Sequence, residues 1–105
     1  SRYVDVGAGS MVCAGCILTT QVIVGRHCIL NLNVTVGHDV RIGDFCTIAP
    51  MVPVSGAVTI EPGVDVGTGA SVRQGVTLGR GSRVGMGAAV VSDVAPATLV
   101  IGVPA

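Results

Sequence analysis

Aliphatic residues recur along this chain at every sixth position. The series runs Val6, Val12, Leu18, Val24, Leu30, Val36, Ile42, Ile48, Val54, Ile60, Val66, Val72, Leu78, Val84 and Val90, fifteen in succession without a gap. A second series of small or β-branched residues stands four places after each: Ser10, Cys16, Val22, Cys28, Val34, Val40, Cys46, Val52, Val58, Val64, Ala70, Val76, Ser82, Ala88 and Val94. A fixed period of six marks a solenoid of the parallel β-helix kind, in which each repeat contributes one short strand and neighbouring turns bury a shared core. Both series then point inward. Glycine follows the first series at Gly7, Gly25, Gly37, Gly43, Gly67, Gly79 and Gly85. That placement predicts corners at which φ turns positive there, a geometry glycine adopts without steric cost.

The rhythm ends after Val94. Pro96 interrupts it, and the closing residues read as an extension. The expected organisation is one β-helix over 1–95 and an extended tail over 96–105. No repeat carries an insertion, so any site has to be built on the coils themselves. The first coil carries no evident cap.

Composition narrows the function. Aromatic residues make up 2% of the chain and the formal net charge is zero, with no lysine. Nucleic-acid binding needs a basic face and stacking rings, so it is not expected. No apolar run approaches the roughly 18 residues of a membrane-spanning helix, so no membrane partner is expected, and the absence of a signal peptide suggests the cytoplasm. Cys13 and Cys16 form a CxxC pair, but their slots in the repeat differ and no second pair completes a zinc site. Cys28 and Cys46 share one inward slot and read as free, buried thiols in a reducing compartment. No metal is expected.

Few residues offer chemistry. His38 lies in the run Val36-Gly37-His38-Asp39-Val40-Arg41-Ile42-Gly43-Asp44. A histidine beside a carboxylate is the minimum for a general base with an orienting acid; an exposed turn histidine is the plainer alternative. His27 follows Arg26 without an adjacent acid and reads as a surface residue, and Asp44 as a turn acid. Arg73, Arg80 and Arg83 gather positive charge in the last coils, either for solubility or to meet phosphates.

From Asn31 to Gly56 the motifs Gly-His-Asp, Ile-Gly-Asp-Phe, Ile-Ala-Pro and Ser-Gly-Ala, together with the closing Gly-Val-Pro-Ala, resemble the C-terminal domain of the sialic acid O-acetyltransferase and bacillosamine N-acetyltransferase family. The resemblance implies a single-stranded left-handed parallel β-helix of about five coils, with three hexads to each triangular coil. It implies an acetyl-CoA-dependent acetyltransferase acting on an amine or hydroxyl of a sugar or nucleotide-sugar, with acetyl-CoA as acyl donor, and a homotrimer with its sites between subunits. His38 matches the family's general base and Asp39 the acid that tunes it. Gly56, three hexads beyond His38, matches the glycine whose N–H holds the oxyanion and lies against the donor. Thr47, Thr68 and Met86 match positions that contact acetyl-CoA, and Asn31 matches one near the acceptor.

Other classes on this fold are a serine acetyltransferase-like O-acetyltransferase and a non-catalytic trimerising fragment, and both stay open. A γ-type carbonic anhydrase needs three histidines on zinc where this chain has two. Ice binding needs aligned threonine ladders, and Thr59 and Thr77 are the lone stacked pair expected.

Overall fold

The computed structural model describes residues 3–105. Sixteen strands of two or three residues wind into three parallel sheets, and no helix occurs among the described residues. The first face stacks Val4–Val6, Val22–Val24, Arg41–Ile42, Thr59–Ile60 and Thr77–Leu78. The second stacks Met11–Val12, Ile29–Leu30, Thr47–Ile48, Asp65–Val66, Arg83–Val84 and Leu99–Val100. The third stacks Ile17–Leu18, Thr35–Val36, Pro53–Val54, Ser71–Val72 and Ala89–Val90. Register advances by three hexads from one rung to the next, as in Ile23↔Arg41 and Thr59↔Thr77, so each coil lies directly on the last. The result is a prism of 34 × 22 × 21 Å.

Hexad chemistry explains the winding. Each strand turns one residue out and the next in, as with exposed Thr35 and buried Val36. Four residues then round a corner, and the last of them, such as Val40, Cys46 or Val52, drops back into the core with no exposure at all. Most of the polar inward residues find carbonyls one coil away; Ser82 does not. Ser10 Oγ donates to Gly25 O at 2.7 Å, Cys28 Sγ to Gly43 O at 3.0 Å and Cys46 Sγ to Glu61 O at 3.2 Å. Cys28 and Cys46 are thus buried free thiols, each committed to its own acceptor. At the open first coil the inward Val6 and Val12 remain 39% and 42% exposed, because no coil lies beneath them among the described residues.

Two expectations change. The glycines that directly follow the first aliphatic series do not take positive φ; that geometry falls two residues later, at Gly9, Gly15, Gln21, His27, Asn33, Asp39 and their successors. The earlier glycines are needed for close approach between coils. A Cβ on Gly37 would stand 2.7 Å from Gly56 N, and one on Gly67 would stand 2.5 Å from Met86 N. The second change is at the end of the repeat. Val94 pairs with Leu78 and Leu99 with Arg83, each two places short of the three-hexad step, so the last coil is contracted. Val94 therefore takes the register of the first series, not the second, and Leu99–Val100 of the extension adds a further rung to the second face. No helix of the described residues is long and apolar enough to cross a membrane.

Candidate active site

His38 and Asp39 occupy the third corner of the prism, where the chain passes from the third face to the first. Asp39 sits at φ 57°, a left-handed conformation that aspartate tolerates better than most residues. Its carboxylate reaches the preceding imidazole, with Asp39 Oδ2 at 3.0 Å from His38 Nδ1. In the neutral ring this contact favours the Nδ1–H tautomer and leaves Nε2 with its lone pair free to accept a proton. Both side chains are open to solvent, at 55% and 64% exposure.

Gly56 lies one coil further on, against the imidazole. Ala57 N–H donates to the His38 carbonyl at 2.8 Å, and a Cβ on Gly56 would collide with His38 Nε2. The bare Cα is thus the seat on which the ring rests. No acceptor for the Gly56 N–H occurs among the described residues. Two of the equivalent N–H groups at the first corner are capped by carboxylates: Arg26 N–H donates to Asp44 Oδ1 at 2.8 Å and Arg80 N–H to Glu61 Oε1 at 2.9 Å. The bond from Arg26 N–H, with help from the Arg26 charge, lowers the Asp44 carboxyl below its ordinary range, and an Arg26–Asp44 ion pair at 3.6 Å completes that corner. His27 stacks on Phe45 there, with ring centroids 5.4 Å apart. Gly56 at the third corner has no such carboxylate cap among the described residues, so its N–H is left without an acceptor beside the imidazole.

The remaining expected site residues lie elsewhere on the prism. Asn31, Thr68 and Met86 line the second corner, where the Gly87 N–H donates to Thr68 O at 2.9 Å and Asn31 Oδ1 accepts from Leu32 N–H at 2.8 Å. Thr47 stands on the second face, between Ile29 and Asp65 in the same column. Within one chain, His38, Asp39 and Gly56 therefore form one group, while Thr68 and Met86 stack at the second corner across the width of the third face and Asn31 lies lower on that same corner. No group of three His, Cys, Asp or Glu residues placed to hold a metal ion occurs among the described residues.

Comparison with solved structures gives the arrangement a context. A histidine-to-asparagine mutant of perosamine N-acetyltransferase from Caulobacter crescentus, in complex with CoA and GDP-perosamine, matches 99% of this chain at 36% identity and a TM-score of 0.96. The chain is thus similar in fold and in sequence to half of that N-acetyltransferase. The acetyltransferase domain of PglB from Neisseria gonorrhoeae, in complex with acetyl coenzyme A, matches 97% of the chain at 33% identity and a TM-score of 0.94. WeeI from Acinetobacter baumannii matches 96% at 35% and 0.94. The chain spans about half the length of these acetyltransferase structures, 50% in each case. No family model matches the sequence, and a search of curated proteins gives no match.

The fold also carries a feature that sequence reasoning missed. A depression of about 150 Å³ opens on the first face beside Asp39, lined by Tyr3, Gln21, Ile23, Asp39 and Arg41. Its signal was present in the spacing: Tyr3, Gln21 and Asp39 are 18 apart at one corner position, and Ile23 and Arg41 are 18 apart on the adjoining strands.

Proposed function

We propose that the protein transfers an acetyl group from acetyl-CoA to an amine or hydroxyl of a sugar or nucleotide-sugar. One observation carries the reading: a histidine with its Nδ1 held by a carboxylate and its Nε2 free lies on a glycine whose N–H has no acceptor. The CoA complexes among the similar structures support the donor, and GDP-perosamine in one of them supports the acceptor class. Acetyl-CoA supplies an activated thioester carbonyl. His38 Nε2 takes the proton from the acceptor nucleophile as the new bond to the carbonyl carbon forms, and returns it to the departing thiolate sulfur. Asp39 keeps the ring in the required tautomer and stabilises the imidazolium. The Gly56 N–H donates to the carbonyl oxygen as negative charge develops there, where an unengaged backbone donor is worth most.

Thr47, Thr68 and Met86 hold the donor in this reading, and Asn31 lies near the acceptor. Their separation from His38 in one chain argues for a second copy whose second corner meets the first copy's third corner. Repeating that contact closes a ring, and three copies fit a three-sided prism. Exposed Met11, Ile17 and Leu32, at 60%, 58% and 48%, supply apolar surface for such contacts. Sedimentation equilibrium should give three times the 10.4 kDa chain mass. We assign the enzyme to the cytoplasm, where acetyl-CoA is made available to it. Calorimetric titration with acetyl-CoA tests the function directly. Saturable binding followed by turnover of an amino-sugar acceptor is the expected result, and absence of binding by the assembled protein would overturn it.

A further inference from the structure

The four cysteines divide into two pairs by access. Cys28 and Cys46 are fully buried, and each thiol is committed to a carbonyl of the next coil. Cys16 belongs to the same inward series but sits on the first coil, where it keeps partial exposure, as Cys13 does. An oxidant in solution therefore meets Cys13 and Cys16 first. Their slots in the repeat differ, yet the turn brings them together. Residues 13–16 close on themselves, with Cys16 N–H donating to Cys13 O at 3.4 Å and Gly15 at φ 78°. Such a turn keeps its end Cα atoms within about 7 Å, and a disulfide spans roughly 4.4–6.8 Å. The two side chains also rise to one peptide of the coil above. Cys16 Sγ donates to Asn31 O at 2.9 Å. Gly7 and Ser10 hold the equivalent slots one hexad earlier. There a Cβ on Gly7 would stand 2.5 Å from Gly25 O, and Ser10 Oγ lies 2.7 Å from the same oxygen. By that equivalence the Cys13 Cβ also faces the Asn31–Leu32 peptide. Cys13 Sγ has no hydrogen-bond partner among the described residues, so no bond holds it back. Two thiols are too few for a structural zinc site, and no third His, Cys, Asp or Glu joins them among the described residues.

We propose that Cys13 and Cys16 form a redox-active dithiol, which a low-molecular-weight disulfide such as oxidised glutathione closes to a disulfide within the turn. The Cys13 thiolate attacks one sulfur of the oxidant, forms a mixed disulfide and expels one glutathione thiolate, which takes up the proton that Cys13 released. The Cys16 thiolate then attacks the Cys13 sulfur, and the second glutathione leaves with the Cys16 proton. The protein loses two electrons and two protons, and one glutathione disulfide becomes two thiols. In a reducing compartment such a pair is open at rest and closes under oxidative load. Closure also takes the thiol proton away from Asn31 O, so the second corner registers the change.

To test this, the full chain is equilibrated with mixtures of oxidised and reduced glutathione, quenched in acid, unfolded, alkylated and digested with trypsin for peptide mass mapping. Cleavage after Arg2 and Arg26 puts Cys13 and Cys16 in one peptide, apart from Cys28 and Cys46. In oxidising mixtures that peptide should lose two hydrogens and take no alkyl group, while Cys28 and Cys46 are alkylated in full. Dithiothreitol should restore both missing alkyl groups. The Leu32 amide signal in the NMR spectrum should shift on closure and return on reduction. The native chain should close at a lower ratio of oxidised to reduced glutathione than the urea-unfolded chain, because the turn holds its two ends together. A pair that stayed open in oxidised glutathione alone, stopped at a glutathione adduct or closed equally readily when unfolded would overturn the proposal. A Cys28–Cys46 disulfide, or a Leu32 amide that did not move on closure, would overturn it as well.

Discussion

The lower and upper coils solve the same corner in different ways. From residue 21 to residue 57 the left-handed position of each corner holds a side chain: Gln21, His27, Asn33, Asp39, Phe45, Met51 and Ala57. From residue 63 to residue 87 the same position is glycine at every corner: Gly63, Gly69, Gly75, Gly81 and Gly87. A non-glycine residue in this region of φ costs on the order of 1–2 kcal/mol, less for Asn and Asp. The upper coils therefore take the unstrained choice, as the first coil does at Gly9 and Gly15, and the lower coils above it carry strain over seven successive corners. What the lower coils gain is side chains at the edges: the His27–Phe45 stack, and the carboxylate of Asp39 on His38. Strain and candidate chemistry lie in the same half of the solenoid.

The largest effect expected from this contrast is at the strained corner itself. His38→Ala should reduce acetyl transfer by roughly 10²–10⁴ while leaving the thermal midpoint nearly unchanged, since the ring is exposed and the general base supplies a factor of that size. Asp39→Asn should cost less, because the base remains. Asp39→Gly is the sharper variant, since it relieves the left-handed strain and removes the carboxylate together. Stability should hold or rise while turnover falls. Steady-state kinetics beside thermal melts read both, and full turnover in Asp39→Gly would mean that the strained aspartate serves no chemistry. Gly56→Ala should also lose activity, by driving the imidazole off its seat.

Next in size is an alkaline effect confined to the lower coils. The inward column at the first corner holds Cys28 and Cys46 below and Val64 and Ser82 above. Burial, with a smaller contribution from Cys28, pushes the Cys46 thiol from 9.0 up to about 11. A raised value means that the folded state keeps its proton while the unfolded chain loses it. The stabilising contribution is complete below pH 9 and is lost as pH rises towards 11, by roughly 2–3 kcal/mol for a shift of this size. Denaturant unfolding across that window should show the decline, and Cys46→Val, the residue most hexads place in this slot, should flatten it. A wild-type curve with no slope from pH 9 to 11 would contradict the burial argument.

The corner comparison can be tested at a single edge, because Ala57 and Gly75 are stacked neighbours in it. A Cβ on Gly75 would meet nothing within 4 Å, so Gly75→Ala carries a conformational cost without a clash. The expected change is a loss of about 1 kcal/mol, or about 4–8 °C in thermal midpoint for a domain of this size. Ala57→Gly should move the midpoint the other way by a comparable amount, and the double variant should return near wild type. Equal, same-signed changes would show that the two halves do not differ in strain.

Much of this was legible beforehand because a solenoid converts sequence spacing into distance. The two inward series, and the placing of Gly56 on His38, follow from counting by 6 and by 18. Counting by 18 also separates Asn31, Thr68 and Met86 from His38, although likeness in sequence alone suggests a single cluster. Other features escaped for physical reasons. Glycine content pointed to the wrong corner position, because glycine is wanted at one place for close approach and at another for φ, and from Gln21 to Ala57 the second place holds no glycine. The register of Val94 was misjudged because the contraction of the last coil leaves the aliphatic pattern intact. The depression at Arg41 went unseen because it is formed by outward columns, which the hydrophobic repeat does not constrain.

The smallest expected effect compares the first coil with the last. Ser10 and Ser82 hold the same inward slot. Ser10 Oγ donates to Gly25 O at 2.7 Å and accepts from Cys28 N–H at 2.9 Å. Ser82 is fully buried, and its Oγ has no hydrogen-bond partner. The carbonyl that corresponds to Gly25 O would be that of Ala95, where the shortened last coil meets Pro96, and the hydroxyl does not bond to it. A buried hydroxyl without a partner gives up its hydration for nothing, so removing it should help. Ser82→Ala is expected to leave the fold unchanged and to stabilise it by up to about 1 kcal/mol, with a small cavity term offsetting part of the gain. Ser10→Ala should go the other way, since it breaks two hydrogen bonds at a partly buried place. Chemical denaturation of the two variants side by side gives the answer as a difference in midpoint of opposite sign. If both serines proved equally stabilising, the last coil would satisfy its hydroxyl as well as the first, and the shortening after Val90 would carry no penalty in the core.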